Sequence, residues 1–529
     1  MLNSARRAMR LHVPTIVAAV ILGMTGLLAG CGGGSEEVPK GDEAASPVHG
    51  GVLRVPSASF GALDPAKIAT TAGAVLAHNV FEGLVEADAQ LQIHPLLATD
   101  WRVSADGKEW VFTLQEGVKF HNGDTFDSGD VLFTFARLRD PDVGSATAPL
   151  FENVKSIKAP DATHVVFNLA EPNPEFTKDL ADYHVVMVSE TVKDPGKDFV
   201  GTGPFVFKSL AAEDRIILAK NPDYWMKDDT GRQLPYLEGV EILLSPDTTA
   251  HIEALRGGQL DLVYGVSPVL AQTLEKDNSL RLLKFTANTF YTLNMRCDRG
   301  PSADKRVRQA ISLGMDREAL LKAGSLGFGL VGNGTPVGPL YGDYSLDQQP
   351  EHDPARAKEL LVDAGYEDGL DIKLTVMNWG PLPAAATTFK DQMKAIGVNV
   401  DLQMVPVDVY YADKGENSWL ETDFGITDWL TRAVPIAYFQ LSLTSDGGWN
   451  SSHWSNEEFD AVVTDIAREM DEERRVELYH RAQEILLEEV PTAVFYFDEG
   501  LIGMAQNVQG FEMVLPEFAT SFRGTYFGD

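Results

Sequence analysis

Cysteine is almost absent. Cys31 and Cys297 are the only two in 529 residues, and they lie far apart in different contexts. That excludes a disulfide framework and any zinc site built on four cysteines or on a close cysteine pair. Positive charge is also scarce: 44 Lys+Arg stand against 77 Asp+Glu, a formal net charge of −33. Such a balance argues against nucleic acid and against a polybasic grip on anionic lipid. It says little about small ligands, because a local pocket can carry either sign. Beyond the N-terminus no 18-residue apolar stretch occurs, so the chain is neither a channel nor a permease. Core-forming residues are plentiful: 44% of the chain is hydrophobic and 23% charged. Two to four domains or lobes are expected at roughly 100–200 residues each.

Catalytic signatures are missing as well. There is no His-Glu-x-x-His, no Gly-x-Ser-x-Gly elbow and no Walker loop. Cys297 lies in Asn294-Met295-Arg296-Cys297-Asp298 without a nearby histidine and reads as an inert core thiol. Carboxylates abound, but none is marked out as an acid/base pair. No catalytic residue, metal or cofactor is expected. The rival is an extracytoplasmic enzyme, which needs a cleft carboxylate pair or an activated nucleophile.

What is present begins at the N-terminus. Arg6, Arg7 and Arg10 precede an uncharged apolar run from Val13 to Leu28, which ends in Leu28-Ala29-Gly30-Cys31. A basic start, an apolar stretch of about 16 residues and small residues at its end read as a secretory signal over residues 1–30. The ending resembles the bacterial lipobox, which implies that Cys31 becomes the lipidated first residue of the mature chain. Residues 31–50, rich in Gly, Ser, Glu and Pro, read as a flexible tether. Losing the three leader arginines takes the charge from −33 to −36. The expected location is extracytoplasmic, in the periplasm or on the outer face of the cytoplasmic membrane, held by lipid rather than by a span.

The remainder alternates strand and helix signals without a repeat of fixed period. Strands are expected over 51–55, 110–114, 165–169, 215–219, 240–244, 372–376, 398–404 and 493–497, with a possible further one over 502–505. Helices are expected over 72–83, 127–138, 248–256, 384–396 and 472–487. Asp304 and Asp353 are placed to cap two more, the second with Pro354 at its first position. Ser455-x-x-Glu458 reads as a capping box for a helix to about Glu469.

Several segments in order resemble one family. They include Leu63-Asp64-Pro65, Asn79-Val80-Phe81-Glu82-Gly83-Leu84 and the run Gly117-Val118-Lys119-Phe120-His121-Asn122-Gly123. Further along come Gly201-Thr202-Gly203-Pro204-Phe205, Asn221-Pro222-Asp223-Tyr224-Trp225 and Asp304-x-Arg306-Val307-Arg308-Gln309-Ala310. Together they are similar to the large extracytoplasmic solute-binding proteins of ABC importers, the peptide/nickel family, also called family 5. The resemblance implies an α/β, two-lobed periplasmic-binding-protein fold of class II type, with an inserted subdomain and a hinge. Lobe one is then 51–80 plus 185–288 plus 492–529, the inserted subdomain 81–184, and lobe two 289–491. The implied function is capture of a peptide or related small molecule between the lobes and its delivery to the transmembrane subunits of an ABC permease, by a monomer. The alternative is an oligosaccharide, an opine or another anionic non-peptide solute.

The resemblance also points to the pocket. Thr427-Asp428-Trp429-Leu430-Thr431-Arg432-Ala433-Val434-Pro435 looks like the family's pocket loop, with Arg432 where peptide-binding members carry an aspartate for the α-ammonium. An enclosed arginine beside an ammonium costs several kcal/mol, whereas it suits a carboxylate or phosphate. Alternatively, Arg432 pairs with Asp428 or Asp446 and touches no ligand. Trp429 is expected as a pocket wall. Thr70 and Thr71, Asn378 and Trp379, and Tyr410, Asn450 and Trp454 complete the candidate ligand-binding set, an aromatic and polar mix suited to a closed pocket.

Overall fold

The computed structural model describes residues 47–211, 214–412 and 414–528. The leader, Cys31 and all but the last four residues of the tether lie outside these.

Three sheets organise the chain. A four-stranded sheet runs Val52–Ser57, Gly239–Leu244, Arg215–Lys220, Phe205–Ala211, with only the first pair parallel. A second, wholly antiparallel, runs Ala98–Val103, Glu109–Leu114, His164–Leu169, Val154–Asp161. One face of it packs on the helix Ser128–Leu138 through a ring cluster that includes Phe112, Phe135, Phe167 and Phe176. That helix begins as its sequence dictates: Asp127 caps it and Asp130 closes a reciprocal capping box.

The third sheet is the largest. Its order is Leu262–Val263, Thr492–Ala505, Leu280–Met295, Phe424–Trp429, Leu370–Met377, Val398–Val405, with Gly329–Val331 added to Thr492–Ala505. The last three strands of the main order are mutually parallel, and the helix Leu382–Ala395 connects two of them. Leu382, Ala385, Ala386, Phe389 and Met393 recur at helical spacing and are buried on the sheet.

Two long strands span this sheet: Leu280–Met295 and Thr492–Ala505. Two short runs, 493–497 and 502–505, are therefore one continuous strand. Its residues 492–497, expected in lobe one, pair with 290–294, beside Phe424–Trp429. The pairing slips between Thr286/Glu499 and Phe290/Phe497, so that Ala287, Asn288 and Thr289 face Asp498 alone. This bulge divides the pair of strands into two stretches. Just beyond it the Phe285 ring covers Gly500, where an added Cβ would stand 1.8 Å from the ring.

Two expected helix starts differ. The helix Glu457–Ile466 is capped by Asn456, whose Oδ1 accepts from Phe459 N at 3.0 Å. Ser455 instead shares a hydroxyl hydrogen bond with Ser445, and Glu458 pairs with Arg481. The stretch 248–256 opens as a 3-10 turn, Thr248–Ala250, before the helix His251–Arg256. Among the described residues no helix is long and apolar enough to cross a membrane.

Candidate functional site

The parallel strands Leu370–Met377, Val398–Val405 and Phe424–Trp429 end on the same edge of the large sheet. Phe290, antiparallel to Trp429, brings the bulge to that edge too. Open α/β sheets bind ligands at the carboxyl ends of their strands. Here those ends carry an uncovered apolar surface: Leu430 is 64% exposed, Trp379 51% and Trp449 41%, with Tyr411 and Val407 nearly as open. Exposed apolar residues gathered at one edge make it a candidate binding surface.

Trp429 forms the floor. It is 6% exposed, stacks on Phe290 at 6.3 Å and meets Tyr438 edge-on at 5.7 Å. Trp449 leans on it at 5.7 Å and on Trp419 at 6.1 Å. The Arg432 guanidinium carbon lies 5.9 Å from the ring centres of both Trp429 and Trp449, a cation–π arrangement with two partners.

The backbone of this loop is clamped. Arg432 N donates to Tyr438 Oη at 2.9 Å, Tyr438 Oη donates to Leu430 O at 2.9 Å, and Tyr341 Oη donates to Arg432 O at 2.8 Å. Thr431 Oγ1 accepts from Asn288 N at 2.9 Å. Asn288 has no exposed surface; its side chain donates to Pro336 O and accepts from Gly338 N, each at 2.9 Å. An added Cβ on Gly338 would stand 2.3 Å from Asn288 Oδ1. The loop carrying Arg432 is thus tied to the bulge in the spanning strands.

Neither carboxylate expected to compete for Arg432 takes it. Asp428 accepts a hydrogen bond from Tyr411 Oη, and among the described residues no carboxylate lies within ion-pair distance of Arg432. Burial and the Asp428 charge push the Tyr411 hydroxyl up, so it stays a donor.

The other sequence candidates separate into two groups. Asn378 and Trp379 stand exposed at the strand end, with Asn378 N bonded to Val405 O at 2.8 Å. Thr70 caps the helix Thr71–Val80 and donates to Phe60 O at 2.7 Å; Thr71 opens that helix, half-buried. Three candidates belong to packing instead. Tyr410 is wholly buried, bonded to Thr427 at 3.0 Å. Asn450 has both side-chain ends occupied, donating to Thr444 O and Trp454 O and accepting from Ser452 Oγ. Trp454 is enclosed against Phe459. Sequence reasoning missed Asn288, Tyr341 and Tyr438, which act only through tertiary contacts. Cys297 is half-buried, donates to Met295 O, and burial pushes its thiol up to about 11.

Two long strands thus run the length of the large sheet beside an open, aromatic-lined edge. Residues 92–451 match the family model described as bacterial extracellular solute-binding proteins, family 5 middle, and the chain belongs to that family. It is 25% identical over 478 residues to the glutathione-binding protein GsiB of Salmonella typhimurium strain LT2, covering 88% of this chain and 92% of that one. Among solved structures it is similar to the ABC transporter-associated periplasmic binding protein DppA of Helicobacter pylori in complex with the peptide STSA. That match has 25% identity and a TM-score of 0.70, over 91% of this chain and 99% of that one. The murein tripeptide-binding protein MppA in its unliganded open form matches at 22% identity with a TM-score of 0.80, over 91% and 98%.

Proposed function

We propose that the chain is the lipid-anchored, extracytoplasmic solute receptor of an ABC importer. It takes a peptide or related small molecule between its lobes and presents it to the permease as a monomer, without catalysis. The observation that carries this reading is the open apolar edge formed by Trp379, Leu430 and Trp449 around the buried Trp429, at the carboxyl ends of parallel strands. The names of GsiB and DppA support a peptide-like solute.

In this reading lobe one comprises 51–80, 185–288 and the chain from about 498 onward, the inserted subdomain is 81–184, and lobe two is 289 to about 497. The pairing of residues 492–497 with 290–294 supports counting them with lobe two in this reading. Trp429, Arg432, Asn378, Trp379 and Trp449 face the ligand from lobe two, with the Thr70–Thr71 turn facing them from lobe one. Cys31 carries the lipid, and 31–50 is the tether.

The test is mass spectrometry of whatever accompanies the purified protein, followed by a thermal-shift screen of the compounds found. A ligand that binds only the native state raises the melting temperature by mass action. A co-purifying solute that restores a higher melting temperature when added back to stripped protein is expected. Normal solute uptake in a strain lacking the gene would count against the transport role.

A further inference from the structure

Resting on the two-lobe reading above, we propose that the inserted subdomain is a latch on lobe two. Gly107, Glu175 and Lys178 hold Met470, Arg475 and Tyr344 while the sheet edge stands open, and release them as the cleft closes. The contact then sets solute affinity from outside the binding site.

The first ground is the contact itself, which joins parts of the chain that the spanning strands do not. Glu175 precedes the short helix Phe176–Leu180 of the inserted subdomain, and Arg475 lies near the start of the helix Glu472–Glu489 of lobe two. Arg475 Nε stands 3.6 Å from Glu175 Oε1, with the two side chains nearly enclosed, at 8% and 10% exposed. Lys178 Nζ lies over the Tyr344 ring at 5.6 Å, a cation–π contact across the same boundary. Beside these charges Met470 packs on the ring cluster of the subdomain. An added Cβ on Gly107 would stand 2.6 Å from the Met470 sulfur. The boundary therefore has an apolar seat as well as a charge pair.

The second ground is the motion that closure requires. The subdomain is fastened to lobe one. Buried Glu82 accepts from Thr202 Oγ1 and Tyr224 Oη at 2.7 Å and from Trp225 Nε1 at 2.9 Å. His121 N donates to Gly201 O at 2.9 Å. The subdomain thus moves with lobe one, and closure turns lobe two against both about the strands near 288 and 498. A contact between the subdomain and lobe two cannot pass unchanged through that turn. Here it coexists with an uncovered sheet edge, where Leu430 is 64% and Trp379 51% exposed. It belongs to the open arrangement.

The third ground is that each half is complete by itself. Within the subdomain Lys178 Nζ holds Glu175 Oε2 at 2.9 Å. Within lobe two Arg475 donates to Tyr344 Oη at 2.9 and 3.1 Å and to Glu469 O at 2.8 Å. Parting leaves neither charge without a partner, which removes most of the cost of breaking a buried pair. Across the boundary 3.6 Å is too long for a hydrogen bond, and Glu175 Oε1 has no hydrogen-bond partner. The grip is weak enough to release, yet any solute that binds the closed form must first overcome it. Apparent affinity falls with the fraction of molecules able to close.

The experiment places spin labels at Leu244→Cys in lobe one and Val362→Cys in lobe two, both exposed positions, in a Cys297→Ser chain. Pulsed electron resonance reads their separation while casein hydrolysate is titrated in. This chain is compared with the same chain carrying Glu175→Gln, Met470→Ala or both, and melting temperatures confirm that all four are folded. Expected is a shorter separation that fills as hydrolysate is added. The double variant should reach half-closure at a hydrolysate concentration at least about fivefold lower than the unaltered latch, with each single variant between. General damage to the fold would weaken binding, so a gain in affinity marks a released restraint. A smaller fall, no change or a rise in the folded double variant overturns the latch and leaves the two-lobe reading standing. No shorter separation in any of the four proteins removes the two-lobe reading and the latch with it.

Discussion

The backbone N–H of Asn288 donates to the side-chain oxygen of Thr431 at 2.9 Å. One residue sits in the bulge of the spanning strands and the other next to Arg432, so a single bond joins the bend in the sheet to the binding loop. Replacing Thr431 by valine keeps the shape and removes the acceptor. It leaves a fully buried N–H unpaired, at a cost of about 1–3 kcal/mol. Urea unfolding should show a lower midpoint with an unchanged slope, and the affinity for any solute retained by the wild type should fall. An unchanged midpoint would show that the bond contributes nothing.

Asp498 faces that bulge from the opposite strand and accepts from Tyr291 Oη at 2.7 Å and from Ser325 Oγ. Burial outweighs both hydrogen bonds and raises its carboxyl from 3.8 to about 6. The native state therefore binds this proton more tightly than the unfolded chain does. The stability it contributes is complete below about pH 4 and is lost as the pH rises through about 6, by up to roughly 3 kcal/mol. Chemical denaturation of the wild type and Asp498→Asn at pH 4 and pH 7 isolates this contribution. The stability difference between them should shift against the wild type at the higher pH; a constant difference would refute the assignment.

Glu86 and Arg523 form a two-pronged ion pair between the short strand Val85–Ala87 and the C-terminal segment. Both side chains are about a fifth exposed, at 24% and 20%. Losing one partner of a fully enclosed pair costs roughly 3–5 kcal/mol; partial exposure reduces that here to about 2–3 kcal/mol. Arg523→Met and Glu86→Gln should each destabilise by this amount. The double substitution should cost less than the sum, a coupling that a double-mutant cycle reads directly.

Cys31→Ala should abolish incorporation of labelled palmitate and move the protein from the detergent phase to the aqueous phase on Triton X-114 partition. Labelling that survives the substitution would place the lipid elsewhere, and no labelling of the wild type would remove it.

Local signals were legible wherever a few neighbouring residues determine the outcome. Asp304, and Asp353 with Pro354, begin helices as their side chains require. Where two adjacent residues competed for one task, the sequence alone was ambiguous. Ser455 reads as a cap, yet Asn456 has the better-placed acceptor once Ser445 and Arg481 draw away the hydroxyl and Glu458. Tyr410 and Tyr411 are equally aromatic in the sequence. Only the packing of the sheet edge buries the first and opens the second.

The sequence by itself determined the family, the exclusion of disulfides, the order of most strands and helices, and the presence of an arginine three residues after Trp429. The family is carried by the resemblance of its ordered segments; the rest follows from spacing, capping chemistry and composition, which act over a few neighbouring residues. Only the tertiary structure decided that Arg432 is unpaired and that its loop is tied to residue 288. Those depend on side chains brought together from positions 341, 411, 438 and 449. Electrostatic and hydrogen-bond partnership is settled by distances of a few ångströms in space, and separation along the chain does not fix those distances.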